Sequence, residues 1–449
     1  MSLRANQGVN MEIRVAKFGG TSLADSVQIA KVKDIIFSDP SRRYVVPSAP
    51  GKSEKYQIKI TDLLYALEDA IEKGEDYTEI YDLIYSRFTD IKRDLDLKVD
   101  IESELEEVLK NLLDGAGADY AASRGEYLNG LLLADYLGYE FIDAAEVVFF
   151  DKRGKYDEKR TEKVLSERLA ATERAVIPGF YGSMPNGAIK TFSRGGSDIT
   201  GAIVAAAVRA DLYENWTDVS GFYMADPRIV KNAKKVKTVT YRELRELSYM
   251  GASVLHEDSI FPVYKYAIPI NVRNTNEPDA AGTMITPTIE DYDGPPVTGI
   301  AGKKNFTIIS IEKNGMNAEL GFGRRVLACI EKYGIPFEHM PSSIDSLCVV
   351  LEDAKAKDNI NDIVDDIHRT CVPDSVEIVR DLALIATVGK RMRSGIGCAA
   401  TLFGAIAKAN INVRMIDQGS SEMNIIIGVK NEDFERTVVA IHDAFANEF

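Results

Sequence analysis

Histidine is scarce: four residues in 449, at positions 256, 339, 368 and 442. None falls inside a serine, cysteine or carboxylate motif, so an activated-serine hydrolase and a histidine-built metal centre are both disfavoured. Cysteine is equally sparse, with Cys329, Cys348, Cys371 and Cys398 far apart and no CxxC. That excludes a disulfide framework and a structural zinc site, and fits the reduced thiols of a cytoplasmic protein. Positive charge is in deficit, with 54 Lys and Arg against 69 Asp and Glu and a net charge of −15. A nucleic-acid partner normally requires the opposite balance, so none is expected. No run approaches the ~18 apolar residues of a spanning helix, so no membrane is expected either. The first ten residues, MSLRANQGVN, lack an apolar core and read as a leader ahead of Met11, not as a signal peptide.

What is present is an ordinary globular composition, 45% hydrophobic and 27% charged, long enough for about three domains at roughly 150 residues each. Residues 12–18, EIRVAKF, read as a buried strand broken by Gly19-Gly20-Thr21-Ser22. Residues 26–36 then carry apolar side chains at helical spacing. A second strand, RRYVVPSAP, ends in another small-residue turn from Ser48 to Gly51. Strand, Gly-rich turn, helix, strand is the α/β pattern: a mostly parallel sheet with helices on both faces and binding loops at the C-terminal strand ends.

From Thr61 to Leu113 two apolar helical stripes recur, Leu63-Leu64-Leu67-Ile71 and Leu105-Val108-Leu109-Leu112, and predict an inserted helical subdomain with solvated charged faces. Strand-like runs return at 174–182, 187–192 and 210–217, with a helix over 198–210. Residues 240–255 read as another helix with Thr240 and Glu243 as a capping box, and 274–287 as turn-forming. Residues 291–296, DYDGPP, look like a linker. Beyond it a weak internal repeat relates 321–351 to 395–429, each copy reading turn, helix, strand, Ser-Ser turn, strand.

Four stretches carry potential chemistry. Lys17-Phe18-Gly19-Gly20-Thr21-Ser22 is either a tight turn or an anion cradle completed by a lysine and the next helix N-terminus. It is not a Walker loop, since GxxxxGK[ST] is absent. Ser193-Arg194-Gly195-Gly196-Ser197-Asp198 offers a guanidinium suited to a carboxylate, with Asp198 either functional or a helix cap. Trp216-Thr217-Asp218 with Tyr223, Asp226 and Arg228 suggests an adenine and phosphate site. Ser123-Arg124-Gly125-Glu126 opens an apparent helix, 126–138, where Glu126 reads most simply as a cap. The G-x-G-x-x-A run at 395–400 is a poor dinucleotide turn, because its loop is loose and too little chain follows. Phosphoryl transfer fits what remains, since it needs chiefly positioning and positive charge. A carboxylate acceptor, ionised above pH ~4, would need no general base.

KFGGTS (17–22), SRGE (123–126), FSRGGSD (192–198), WTDVSGFYMADPR (216–228) and QGSSE (418–422) together resemble aspartate kinase of the amino-acid kinase superfamily, in the family's order. TFSRGGSDITG and LYENWTDV resemble its monofunctional, lysine-sensitive type most. The resemblance implies ATP-dependent phosphorylation of the L-aspartate side-chain carboxylate, as the first step of lysine, threonine and methionine synthesis, with Mg2+ carried on the ATP phosphates and no protein-bound metal. By that resemblance Lys17, with Gly19 and Gly20, holds the transferring phosphate. Thr217, Asp218, Tyr223, Asp226 and Arg228 line the nucleotide. Glu126 takes the ammonium of aspartate and Arg194 its carboxylate. Ser48, Thr61, Ser197 and Asp198 complete the pocket and orient Lys17.

The resemblance also implies a catalytic domain over 11–298 and a regulatory region over 299–449. The latter would hold two ferredoxin-like ACT modules, one at about 315–383 and the other at 299–314 plus 384–449. An inhibitory amino acid, lysine foremost, is expected at the first copy near Phe322, Gly323, Ser343 and either Glu338 or Asp345. Gln418, Ser420 and Ser421 of the second copy are expected at a subunit contact, in a homodimer or larger assembly. Two departures stand out: Ser253 replaces a family lysine near the nucleotide, and Pro47 replaces an apolar residue before Ser48. The competing readings are another amino-acid or carbamate kinase of the superfamily and a non-catalytic amino-acid sensor.

Overall fold

The structure is a computed structural model describing residues 12–193, 195–252, 255, 257–288, 294–393 and 395–446. By contacts the chain divides into two units. The described residues of 1–222, 237–241 and 253–290 form the first. Those of 223–236, 242–252 and 291–449 form the second.

The first unit runs β1 (Arg14–Phe18), α1 (Ser26–Phe37), β2 (Arg42–Pro47), α2 (Ile60–Lys73), α3 (Thr78–Asp94), α4 (Ile101–Leu113) and α5 (Gly117–Leu137). It continues through β3 (Glu140–Phe141), α6 (Ala144–Val147), α7 (Glu158–Ala170), β4 (Ala175–Val176), β5 (Tyr181–Ser183), β6 (Ile189–Thr191), α8 (Gly196–Val208), β7 (Leu212–Thr217) and β8 (Thr238–Thr240). The helix α9 (Tyr241–Tyr249) leads from the first unit into the second, and α10 (Ile260–Tyr264), β9 (Ile270–Asn274) and β10 (Thr283–Thr286) complete the first. Eight strands make one sheet in the order β3-β4-β2-β1-β7-β9-β10-β8. All neighbours are parallel except β9 and β10. Parallel strands need crossover connections, and the α-helical segments between them supply these. β1 and β2 lie almost wholly buried, although each carries basic residues: Arg14 and Lys17 in β1, and Arg42 and Arg43 in β2.

The stripe Ile60, Leu63, Leu64 and Leu67 of α2, and Ile101, Leu105, Val108 and Leu112 of α4, enter one core with Phe18, Val45, Leu128 and Trp216. The helical segment therefore shares the core of the sheet layer. Glycines in left-handed geometry end α2 (Gly74, φ 68°) and α5 (Gly138, φ 66°). Inside this layer Arg87 of α3 is fully buried. Its guanidinium donates to the carbonyls of Ile58 (2.9 Å), Ala24 (2.8 Å) and Gly51. Burial pushes it down to about 10, so it stays charged at neutral pH and fastens the 48–60 loop to α3.

Three local expectations change. The helix over 126–138 begins nine residues earlier, at Gly117, because Ala121 and Ala122 extend its buried face. The turn-rich 274–287 stretch contains a strand, since the β-branched Thr283, Ile285 and Thr286 pair with β9 and β8. The helix over 240–255 ends at Tyr249, ahead of Gly251 at φ 102°.

In the second unit follow β11 (Gly299–Glu312), α11 (Phe322–Glu331), β12 (Ser346–Glu352), α12 (Asp353–Ala356), α13 (Ile360–Cys371), β13 (Ser375–Val388), α14 (Cys398–Lys408), β14 (Met415–Asp417), β15 (Asn424–Lys430) and α15 (Phe434–Ala446). One antiparallel sheet, ordered β12-β11-β13-β15-β14, carries them. The two 14-residue strands β11 and β13 pair along their length at its centre. Each half then repeats strand, helix, strand, helix. An antiparallel sheet rules out a dinucleotide turn at 395–400. The four cysteines are free thiols, and no helix among the described residues is long and apolar enough to cross a membrane.

Replacing Arg87 by Met removes one donor group from three carbonyls. At ~1–3 kcal/mol for a buried polar group left unpaired, the loss should exceed ~3 kcal/mol. Urea unfolding checks it; an unmoved midpoint would mean that water takes over all three carbonyls.

Candidate active site

The C-terminal ends of β1, β2 and β7 carry the turns singled out in the sequence. Lys17, the penultimate residue of β1, puts its Nζ 2.6 Å from Oδ1 of Asp198 in the first turn of α8. The Gly19 amide donates to the Trp216 carbonyl at 2.9 Å. That N–H therefore ties β1 to β7 and is not available to an anion, which corrects its expected role. Gly20 is needed for space: a Cβ there would stand 2.8 Å from the Ala49 carbonyl oxygen. Gly51 presses equally close, and its amide donates to the Gly20 carbonyl at 2.8 Å. The Ser48 loop is thus seated directly on the Gly-Gly turn. The Ser48 amide bonds the Phe18 carbonyl (3.0 Å), and its own carbonyl accepts from Asn129 Nδ2 (2.7 Å).

Two helix starts exchange roles relative to expectation. A short 3-10 turn follows Gly19, and α1 starts later behind Asp25, whose carboxylate caps the Gln28 amide at 3.1 Å. Its N-terminus is already satisfied by an anion. An N-terminus without a capping side chain belongs to α8, where Gly195 at φ 67° is the cap. Asp198, in that first turn, bonds Lys17 and Asn215 Nδ2 (2.9 Å) and does not cap the helix.

Glu126 is likewise no cap. It lies in the middle of α5 and is buried. Burial pushes its carboxyl up to about 8, against opposing pulls from the Ala49 amide, the Ser197 hydroxyl and Lys17. Its Oε2 has no hydrogen-bond partner. Glu126 also lines a cavity.

That cavity, about 230 Å³, is lined by Lys17, Ser48, Thr61, Glu126, Phe180, Gly195, Gly196, Ser197 and Asp198. It is smaller than the roughly 300–1,000 Å³ of drug-sized sites, so it suits a small amino acid and not a whole nucleotide. Six expected residues converge here: Lys17, Ser48, Thr61, Glu126, Ser197 and Asp198. Arg194 lies outside the described residues, as do Ser253 and His256. Phe180 was missed. It holds φ 77°, unusual for a non-glycine, and its amide bonds Thr200 Oγ1 at 3.0 Å. Its only sequence signal is the Gly179 beside it, where a Cβ would stand 2.6 Å from the Ser197 Cβ.

The other expected residues are dispersed. Thr217 ends β7 in the first unit and Asp218 follows it, hydroxyl to carboxylate at 3.2 Å. Tyr223, Asp226 and Arg228 belong to the second unit. There the exposed Arg228 closes its fork on Asp226 at 2.6–3.0 Å. Also in the second unit, Phe322 opens α11 and is buried, and Gly323 has open space where a Cβ would stand. The Glu338 carboxylate accepts from the Tyr249 hydroxyl and sits 4.0 Å from Lys355. Asp345 Oδ1 accepts from the Gly315 amide at 2.8 Å. The Ser343 amide bonds the Ser346 carbonyl (2.8 Å). Ser421 Oγ accepts from the Met423 amide (3.5 Å), while Gln418 and Ser420 are exposed.

The Amino acid kinase family pattern matches residues 12–274, and an ACT domain pattern matches residues 385–445. Aspartokinase 3 of Bacillus subtilis is 38% identical over 453 residues, covering 96% of this chain and 98% of that one. The chain also spans about half of the bifunctional aspartokinase/homoserine dehydrogenase 1 of Arabidopsis thaliana, at 33% identity over 96% of its own length. Among solved structures, the aspartate kinase of Clostridium acetobutylicum is similar with a TM-score of 0.88 at 54% identity, covering 97% of this chain and all of that one. Escherichia coli aspartokinase III, at 29% identity, is similar both with aspartate and ADP in its R-state (TM-score 0.78; 97% and 100% coverage) and with lysine and aspartate in its T-state (0.74; 96% and 99%). Both the motifs on one sheet edge and these likenesses lead to the same conclusion: the chain is an enzyme of the amino acid kinase family and belongs to its aspartokinases.

Proposed function

We propose that this chain phosphorylates the side-chain carboxylate of L-aspartate with MgATP, giving 4-phospho-L-aspartate and ADP. The observation carrying this is the convergence of a lysine, a buried glutamate with one unpartnered oxygen and a helix N-terminus on one small cavity. ATP supplies the phosphoryl group, with Mg2+ carried on its phosphates. The Lys17 ammonium and the α8 N-terminus suit phosphate oxygens, and Thr217 and Asp218 at the end of β7 would hold the nucleotide. Tyr223, Asp226 and Arg228 stay candidates for the nucleotide on the sequence resemblance alone.

Within this reading each residue has a task. Glu126, ionised, binds the aspartate ammonium; Arg194 binds its α-carboxylate; Ser48, Thr61 and Ser197 fix the backbone end of the substrate. The acceptor carboxylate is already ionised, so no base is needed. Lys17 stabilises charge that develops on the transferring group, and Asp198 aims it. The chain divides by role into a catalytic part, 11–298, and a regulatory part, 299–449. In the latter the repeat of β11-α11-β12-α13 as β13-α14-β15-α15 supports two ACT modules sharing one sheet. Copies of such a sheet would pair to form at least a homodimer. Lysine is the proposed inhibitor, held near Phe322 and Glu338. Asp345 stabilises the 313–316 turn there, and Gln418, Ser420 and Ser421 serve the subunit contact. The lysine complex of the Escherichia coli relative supports this choice.

Turnover of ATP with a panel of amino acids, trapping acyl phosphates with hydroxylamine, tests the reaction; aspartate alone should respond. Preference for glutamate or carbamate would overturn it. Lys17→Ala should lower kcat by ~10²–10³ with aspartate affinity little changed.

The raised Glu126 has a pH consequence. Its carboxyl is neutral below about 8 in the empty site, and only the ionised form attracts an ammonium. kcat/KM for aspartate should therefore rise with pH up to about 8 and then level. Glu126→Gln should lose that limb and raise KM by ~10- to 100-fold, the equivalent of ~1.5–3 kcal/mol for a charged hydrogen bond. For stability the sign is the reverse. A folded-state value above the unfolded one makes the neutral carboxyl favourable at low pH, and this advantage is lost as pH rises through 8. Thermal unfolding of the empty protein should show Glu126→Gln gaining on the wild type at pH 9 relative to pH 5.

Lysine should bind with measurable heat, and saturating substrates should weaken that binding as much as lysine weakens theirs, by ~5- to 150-fold for a typical coupling. Calorimetric titration with and without aspartate and MgATP reads this. Inhibition unaffected by Glu338→Ala would move the site elsewhere.

A further inference from the structure

Along β7 successive side chains alternate between the two faces of the sheet. Glu214 and Trp216 go to one side, where Arg42 Nε meets Glu214 at 2.6 Å and Trp216 Nε1 donates to the same carboxylate at 3.0 Å. Tyr213 and Asn215 go to the other, and both end on one residue of α8. The Tyr213 hydroxyl donates to the Asp198 carbonyl at 3.0 Å, and Asn215 Nδ2 donates to Asp198 Oδ1 at 2.9 Å. That same Oδ1 receives Lys17 Nζ at 2.6 Å. Moreover, Lys17 and Asn215 are register partners in the parallel β1–β7 ladder, so their side chains leave the same face side by side. Asn215 is only 2% exposed, and α8 sits close above it: a Cβ on Gly201 would stand 2.5 Å from the Tyr213 hydroxyl.

We propose that Asn215 is a positioning residue for phosphoryl transfer, acting on Lys17 through Asp198; this rests on the role given to Lys17 above. A neutral amide is the group this place requires. It donates to Asp198 without altering the one-to-one charge balance between Lys17 and Asp198. When the ammonium shares its charge with a substrate phosphate, Asp198 keeps a hydrogen bond and is not left as an unpaired, mostly buried carboxylate, a costly state. The lysine can thus turn toward substrate while its anchor stays in place. An arrangement in which Lys17 alone satisfied Asp198 would hold the ammonium back.

Steady-state kinetics on the full chain test this, with Asn215→Leu and Asn215→Asp beside the wild type and Lys17→Ala. Asn215→Leu keeps the volume and removes the donor. It should lower kcat by ~10- to 100-fold, as small misplacements of a reacting group do, with KM for aspartate within about threefold. Asn215→Asp sets a second carboxylate against Asp198, and two such groups share a proton. The other titratable groups facing the pair are Lys17 on β1, Glu126 on α5 and Tyr213 on the same strand. The acid limb of kcat should move to higher pH by at least one unit, a shift that a purely structural asparagine would not produce. An Asn215→Leu enzyme with unchanged kcat and only a lowered unfolding temperature would overturn the proposal. So would an Asn215→Asp enzyme with an unmoved limb, which decides the matter if the leucine variant does not fold. If Lys17→Ala keeps its kcat, the reading of Lys17 itself fails. If Lys17→Ala loses kcat while both Asn215 variants behave as wild type, only the role of Asn215 fails.

Discussion

The ion pair between Lys17 and Asp198 is the contact around which the catalytic layer is arranged. Its 2.6 Å separation can exist only where the end of β1, the end of β7 and the first turn of α8 meet. Glycine makes that meeting possible. A Cβ on Gly196 would stand 2.5 Å from the Phe180 ring, and one on Gly179 would overlap Ser197, so the helix start can lie against the loop that follows β4. A partly buried ion pair contributes little net stability unless its remaining hydrogen bonds are met. Here Asn215 meets one of them, and the pair's net contribution to stability is small.

Glu126 supplies the complementary constraint. Gly125 beside it faces Ala49, Ile60 and Leu64, the first of them 2.8 Å from where its Cβ would be. The glycine brings α5 against α2 and the Ser48 loop, and this packing strips water from the carboxyl. The result is an acidic group whose burial favours its neutral form. Arg87 clamps the loop that carries Ser48 through the carbonyls of Gly51 and Ile58.

The second unit shows how repetition builds regulation-ready architecture. β11 and β13 pair along their full length, so two strand-helix-strand-helix halves share one sheet and cover one another's central edge. Neither half would bury enough apolar surface as a lone ~70-residue domain. Joined, they fill separate helix layers, one around Phe322, Val326 and Ile363 and the other around Leu402, Phe434 and Ile441.

The sequence determined the elements whose signals are local. β1 and β2 followed from short strand-like runs closed by small-residue turns at 19–22 and 48–51, α2 and α4 from apolar stripes, and the start of α8 from the glycines at 195 and 196. The internal repeat was legible because both copies keep the same turn and strand spacing. Residue types at Lys17, Glu126 and Asp198 named the chemistry, yet each had an innocent local explanation as turn charge or cap. Only the tertiary structure decided between those explanations. It put Glu126 in mid-helix because burial of Ala121 and Ala122 extends α5 toward its N-terminus. It moved the helix N-terminus without a capping side chain from α1 to α8. It revealed Asn215, whose role depends on strand register, a pairing between residues 198 positions apart that no local periodicity encodes.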